Sequence, residues 1–305
     1  MAEIEKGFGV IPEVEPIRVY DYDAVCGTSA DGDVTYPVEY EIDRNLSTLK
    51  DQGSVGACVA EVIAQISEAF YHKEMSEGYI YGGYRSPEAR GWGMSVLSAL
   101  DFWRKLGTVP KQYFDYLDEM PKIREDVAKI PELANLAKQY PMKGYVSLNY
   151  ANEKRDRCIK EALTGTANGY GLLAVSDKYF RESHCILITG WNDETDRYKI
   201  KNSWGTDWKD NGFGEIPKTA INQVYLILFD EPKLPFDDVS ESAWYYDAVK
   251  QMYFAGMMKG VSDTKFDPEA PLTRAEMATL MDRFLKAMDE RFSIFNGLLK
   301  LKTDK

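Results

Sequence analysis

The chain has 305 residues, 37 Lys+Arg against 49 Asp+Glu, and a formal net charge of −12; at about 150 residues per domain there is room for two. An acidic balance offers no basic footprint for phosphates, which excludes nucleic acid as the main partner, and the longest apolar run, Val224–Phe229, falls far short of the ~18 residues of a membrane span. Two histidines exclude a multi-histidine metal site, and four cysteines without a CxxC pair exclude a zinc ribbon or a disulfide scaffold, so neither metal nor cofactor is expected.

Residues 1–37 are rich in acidic residues, Gly and Pro and read as an extended lead-in. The opening Met-Ala-Glu-Ile-Glu-Lys lacks the basic-then-apolar pattern of a secretory signal, so the expectation is a cytoplasmic start, a removed leader or release by lysis. Asp51-Gln-Gly-Ser-Val-Gly-Ala-Cys58 is a glycine-broken turn that runs into a helix, with Val59, Val62, Ile63, Ile66 and Phe70 on one apolar face. Ser95–Leu106 predicts a second helix, with Ser95 as cap and Gly107 as stop. Helical patterns follow over about 122–140, interrupted by Pro131, and over 152–163. After Gly165 the character changes to strands: Gly171–Ser176, His184–Gly190, Arg197–Asn202 and Val224–Phe229 are β-rich runs between Gly, Asp and Asn turns. Helices first and strands afterwards predict an α+β fold of two packed halves. Residues 231–235 read as a linker stiffened by Pro232 and Pro235, and the chain turns helical again from Phe236.

A Cys–His pair is the chemistry that this composition leaves open. Cys58 opens its helix, where unsatisfied N–H groups and the macrodipole favour a thiolate, and Gly53 and Gly56 permit close backbone approach. His72 lies at the other end of the same helix, about 21 Å away at 1.5 Å per residue, and cannot reach it. His184 begins the apolar strand His-Cys-Ile-Leu-Ile-Thr-Gly, which another segment can face.

Gln52-Gly-Ser-Val-Gly-Ala-Cys58, His184 with its strand, Lys201-Asn-Ser-Trp-Gly205 and Gly212-Phe-Gly214 occur in order over about residues 38–230 and resemble the papain-like cysteine peptidases. The resemblance implies a papain-like fold, with the nucleophile on a helical half and the histidine on a β-rich half. It implies that Cys58 attacks the scissile carbonyl, that His184 is held as an imidazolium beside the thiolate, and that Asn202 orients His184. Gln52 and the Cys58 N–H would form an oxyanion hole worth ~3–4 kcal/mol per donor, and Trp204 would cover the His–Asn contact. Arg90-Gly-Trp-Gly-Met94 replaces the family's Cys/Gly-rich substrate loop, which leaves Gly91 and Gly93 as candidates to bind substrate backbone. Val55 stands where secreted members have a cysteine, so their disulfide near the active site cannot form.

Residues 236–286, with Trp244-Tyr-Tyr-Asp, Gly256-Met-Met-Lys-Gly260 and Thr273-Arg-Ala-Glu276, are similar to an S-layer homology domain, which implies a small all-α module at a bacterial cell surface or wall. Thr273 and Glu276 also read as a capping box. Trp244, Gly260 and Arg274 are the candidates for cell-wall polymer, with Arg274 free to grip carboxylate or phosphate. A single copy suggests weak wall binding or self-association. Residues 287–305, with Phe292, Phe295 and Leu298, predict an amphipathic helical tail. The expected function is a cysteine peptidase near a bacterial surface; the alternatives are a peptidoglycan-directed cysteine amidase or endopeptidase, and a non-catalytic wall-binding or assembly protein.

Overall fold

The computed structural model describes residues 10–11, 35–84, 93–119, 121–149, 152–165, 171–180, 182–229, 234–254, 257–262 and 264–285. Gly91, Cys26, Pro232 and the tail 287–305 lie outside them. The described residues fall into two compact units, the first ending at Phe229 and the second beginning at Leu234.

The helical half of the first unit is α1 (Cys58–Tyr71), α2 (Glu77–Gly83), α3 (Val96–Leu106), α4 (Lys122–Ala128), α5 (Glu132–Ala137) and α6 (Asn152–Leu163). Local chemistry sets several of these ends. Ser95 Oγ accepts from Ser98 N at 3.2 Å and so caps α3, and Gly107 stops it. Pro131 separates α4 from α5, as its missing N–H requires. In α1 the expected single apolar face proves too narrow: Glu61, Gln65, Ser67 and Glu68 are buried together with Val59, Val62, Ile63 and Ile66. The helix is buried on every side because α2 and α3 pack against it as well as the sheet.

The other half is a seven-stranded antiparallel sheet in the order β4 (Gly144–Ser147), β9 (Gln223–Leu228), β5 (Leu172–Ser176), β6 (His184–Asn192), β7 (Arg197–Lys201), β8 (Phe213–Pro217), with β2 (Glu39–Glu41) paired to the far end of β6. Strands β2, β4 and β8 are additions to the sequence-based expectation. A separate parallel pair joins β1 (Val10–Ile11) to β3 (Met94–Ser95), next to Gly93. Among the described residues no helix is long and apolar enough to cross a membrane.

Between α1 and α2 lies a buried charge network. Lys50 Nζ sits 2.5 Å from Glu68 Oε1 and 3.2 Å from Glu77 Oε2, and donates to Met75 O. Glu61, one turn along α1 from Cys58, is buried with Oε2 lacking a hydrogen-bond partner among the described residues. Burial, with Glu77's charge adding to it, pushes its carboxyl well above the usual range, against the pull of Lys50 and Lys111.

The second unit has its own small core of Phe236, Val239 and Val249, with Tyr253 and Phe266 against it. Its described elements are α7 (Tyr246–Phe254), an isolated β-bridge between Ser262 and Lys265, and a helix over 274–285. The capping box is present at the start of that last helix: Thr273 N donates to Glu276 Oε2 at 2.8 Å, and Glu276 N donates to Thr273 Oγ1 at 3.2 Å.

Candidate active site

The turn that precedes α1 is clamped to the segment after β7. Gln52 N donates to Ser203 O at 2.9 Å, Ser203 Oγ donates to Gln52 Oε1 at 2.6 Å, and Asp51 bridges Trp204. Gln52 Nε2 also donates to Val55 O at 2.7 Å, so both ends of its amide are oriented. From there the chain enters α1 at Cys58, with Ala57 as an N-cap that makes no side-chain bond. His72 closes the same helix as its C-cap, which fixes it at the far end.

His184 is the first residue of β6, beside α1. Its Nε2 lies 2.7 Å from Asn202 Oδ1, an acceptor, which places the ring N–H on Nε2. Asn202 is itself held: its N–H donates to Gly212 O at 2.9 Å and its Oδ1 also accepts from Ser203 N at 2.8 Å. The rings of Trp204 and Phe180 both lie 4.7 Å from the imidazole, and Trp208 stands edge-on to Trp204 at 6.1 Å. Within this aromatic enclosure burial pushes His184 down to about 4, against the opposing pull of Asn202. Cys185, next in β6, is buried too, and its thiol is pushed well up by burial with a further contribution from Cys58, so it stays protonated.

The turn segments thus bring Gln52 and Trp204 to the His184–Asn202 pair, with Cys58 opening the helix that packs on β6. Gly93 is buried beside β3. Sequence reasoning missed Ser203, Phe180 and Trp208; Ser203 and Trp208 belong to the motif-bearing segment and could have been singled out there, whereas Phe180 carries no local signal. It also missed why Gly205 is glycine. Gly205 has φ +71°, and an added Cβ would stand 2.7 Å from Asp51 Oδ2. Gly205→Ala is expected to cost about 2 kcal/mol in thermal or urea unfolding, because it combines left-handed strain with a push on the Asp51–Trp204 bridge.

In the second unit Trp244 is 93% exposed and Arg274 is exposed at the helix start. Gly260 has a packing explanation: a Cβ there would meet Phe236 Cε1 at 2.4 Å and Lys265 O at 2.5 Å.

Residues 133–226 match the family model for papain family cysteine protease, a stretch that includes His184 and Asn202 and begins after Cys58; residues 235–278 match the S-layer homology domain. A cysteine protease of Blomia tropicalis is 23% identical over 221 residues, 61% of this chain and 62% of that protein. The chain therefore spans about three fifths of that relative's length. The surface-layer 125 kDa protein of Lysinibacillus sphaericus is 43% identical over 56 residues, 18% of this chain and 5% of that one. Among solved structures, xylellain, a cysteine protease from Xylella fastidiosa, superposes with a TM-score of 0.59 at 19% identity, covering 76% of this chain and 99% of its own. The family models and the fold agree on what the chain resembles: a papain-like fold, with residues 133–226 similar to papain family cysteine proteases, followed by a stretch, 235–278, similar to an S-layer homology domain.

Proposed function

We propose that the chain is a cysteine peptidase that hydrolyses peptide bonds through Cys58, His184, Asn202 and Gln52, and that its C-terminal stretch keeps it at a bacterial cell surface. The observation that carries the reading is the 2.7 Å bond between His184 Nε2 and Asn202 Oδ1. With the ring proton on Nε2, the neutral imidazole has Nδ1 as its base, suited to take the Cys58 thiol proton. The thiolate then attacks the scissile carbonyl carbon. The oxyanion accepts from the Cys58 N–H and from the amide of Gln52, which Ser203 and Val55 orient. Collapse to the thioester expels the amine, which takes its proton from the imidazolium; His184 next deprotonates a water that hydrolyses the thioester. Because burial holds His184 low, the imidazolium is stable only while the thiolate or oxyanion charge stands beside it.

Gly93 is the remaining described candidate for backing the substrate, and Trp204 shields the His184–Asn202 bond from water. For the wall, the S-layer homology match and the exposure of Trp244 and Arg274 support a polymer contact, whereas Gly260 serves packing. The test offers the full chain unfolded protein and isolated cell wall as substrates. The expected result is hydrolysis of peptide bonds in the first; release of wall peptides alone would move the substrate to the wall, and inertness toward both would refute the reading. Asn202→Ala should lower kcat about 10²-fold with KM and epoxide labelling of the thiol little changed, since Asn202 orients a base and carries no proton itself.

A further inference from the structure

The first unit encloses a cavity of about 190 Å³ that no step of the proposed reaction uses. Ile66 and Ala69 of α1, Leu163 of α6, Leu187 and Ile188 of β6 and Phe213 of β8 give it an apolar wall. Its rim includes the exposed residues Asp43, Arg44 and Leu46, so it opens to solvent. Three polar side chains interrupt the wall: Gln65, Thr189 and Lys201, each at most 2% exposed.

These groups are not explained by packing. Gln65 Nε2 and Oε1 and the Thr189 hydroxyl have no hydrogen-bond partner among the described residues, and a buried polar group left so costs about 1–3 kcal/mol. Leucine and valine have similar shapes and would fill the same places without that cost. Lys201 Nζ donates to Ser47 O at 2.6 Å and to Ser47 Oγ at 3.0 Å, which leaves its third position for another acceptor. Burial pushes its ammonium down to about 8, with Glu68 opposing that shift.

We propose that this cavity binds a small neutral amide with a short apolar body. A guest carboxamide matches the orphaned atoms as a set: its N–H donates to Gln65 Oε1, and the two lone pairs of its carbonyl accept from Gln65 Nε2 and the Thr189 hydroxyl. A carboxylate would leave Gln65 Oε1 without a donor, and an alcohol must bend both bonds to bridge the Gln65 amide with one oxygen, whereas a carboxamide meets each end with its own atom. The size is set by volume: a cavity of about 150 Å³ takes benzene, so this one takes a guest of about six to eight non-hydrogen atoms.

The test titrates the full chain with hexanamide, hexanoate and hexanol, and follows the Gln65 side-chain amide by ¹H–¹⁵N spectroscopy and the unfolding midpoint. Hexanamide is expected to shift the Gln65 amide signals, raise the midpoint and bind at least ten-fold tighter than hexanoate or hexanol. Gln65→Leu should keep or raise the stability of the unliganded chain and abolish the response, while Thr189→Val should weaken binding about five-fold. Three results would each overturn the proposal: no shift of the Gln65 amide at saturating hexanamide, an undiminished response in Gln65→Leu, or hexanoate binding tighter than hexanamide. None of them bears on the peptidase reading, because Gln65 and Thr189 take no part in it.

Discussion

Cys58→Ala is expected to lower peptide hydrolysis about 10⁴-fold or more, as loss of the nucleophile does in other acyl-transfer enzymes. The size of the effect follows from the lack of a substitute thiol among the described residues. Cys185 is adjacent to His184 in sequence, but successive strand residues point to opposite faces, and burial holds its thiol protonated. Cys158 is buried within α6. Among the described cysteines only Cys58 begins a helix, where the macrodipole stabilises a developing negative charge on sulfur or on the substrate oxygen. The measurement is kcat/KM on an unfolded protein substrate, beside labelling by a thiol-directed epoxide. Activity above about one per cent in the alanine variant would move the nucleophile elsewhere.

Lys50→Met should destabilise the first unit by about 3–5 kcal/mol, the usual consequence of removing one partner from a buried charge cluster. Lys50 is 3% exposed and faces Glu68 and Glu77, themselves 3% and 8% exposed. Burial works against its ammonium, but Glu77 and Glu68 outweigh burial and raise it above its ordinary value. In return, Lys50 and Lys111 hold Glu77 below the carboxylate range although burial opposes them. Methionine has a comparable length, so the variant loses the charge and little volume. The sign of the pH dependence follows from Glu77. A depressed carboxyl contributes stability above its unfolded value and loses it as pH falls through the folded one. The gap between wild type and variant in urea midpoints should thus be widest near neutrality and narrow on acidification.

What could be read in advance divides along the range of the forces involved. Ser95 and Gly107 announced the ends of α3 because capping is settled within one turn. Pro131 likewise announced the break between α4 and α5. By contrast, β8 reads Phe-Gly-Glu-Ile-Pro, with a glycine and a proline that argue against a strand, and it forms because β7 offers it an edge. Strand β4 exists through its pairing with β9 from the far end of the same unit. The polar positions of α1 looked like a solvent face since their partners come from elsewhere: Lys50 and Thr48 reach Glu68 from the preceding loop. At the candidate site, the segments that hold Gln52, Cys58, His184 and Asn202 stood out in the sequence through their resemblance to family motifs. The Ser203 bond that orients Gln52, and the Phe180 ring beside His184, depend on segments meeting in space, and no local pattern encodes them.

The contrast between Trp244 and the tryptophans of the first unit gives the chain a built-in optical division. Trp103 and Trp191 are fully buried, Trp204 and Trp208 half-buried, and Trp244 alone among the described indoles stands in water at 93% exposure. Its emission should lie at the red edge and be the first to yield to an aqueous quencher such as acrylamide, while the blue, protected component belongs to the first unit. Anything that settles on the second unit, whether polymer or another copy, can therefore be followed as loss of quencher access to one residue in the intact chain. The state of the other unit is reported in the same spectrum at shorter wavelength.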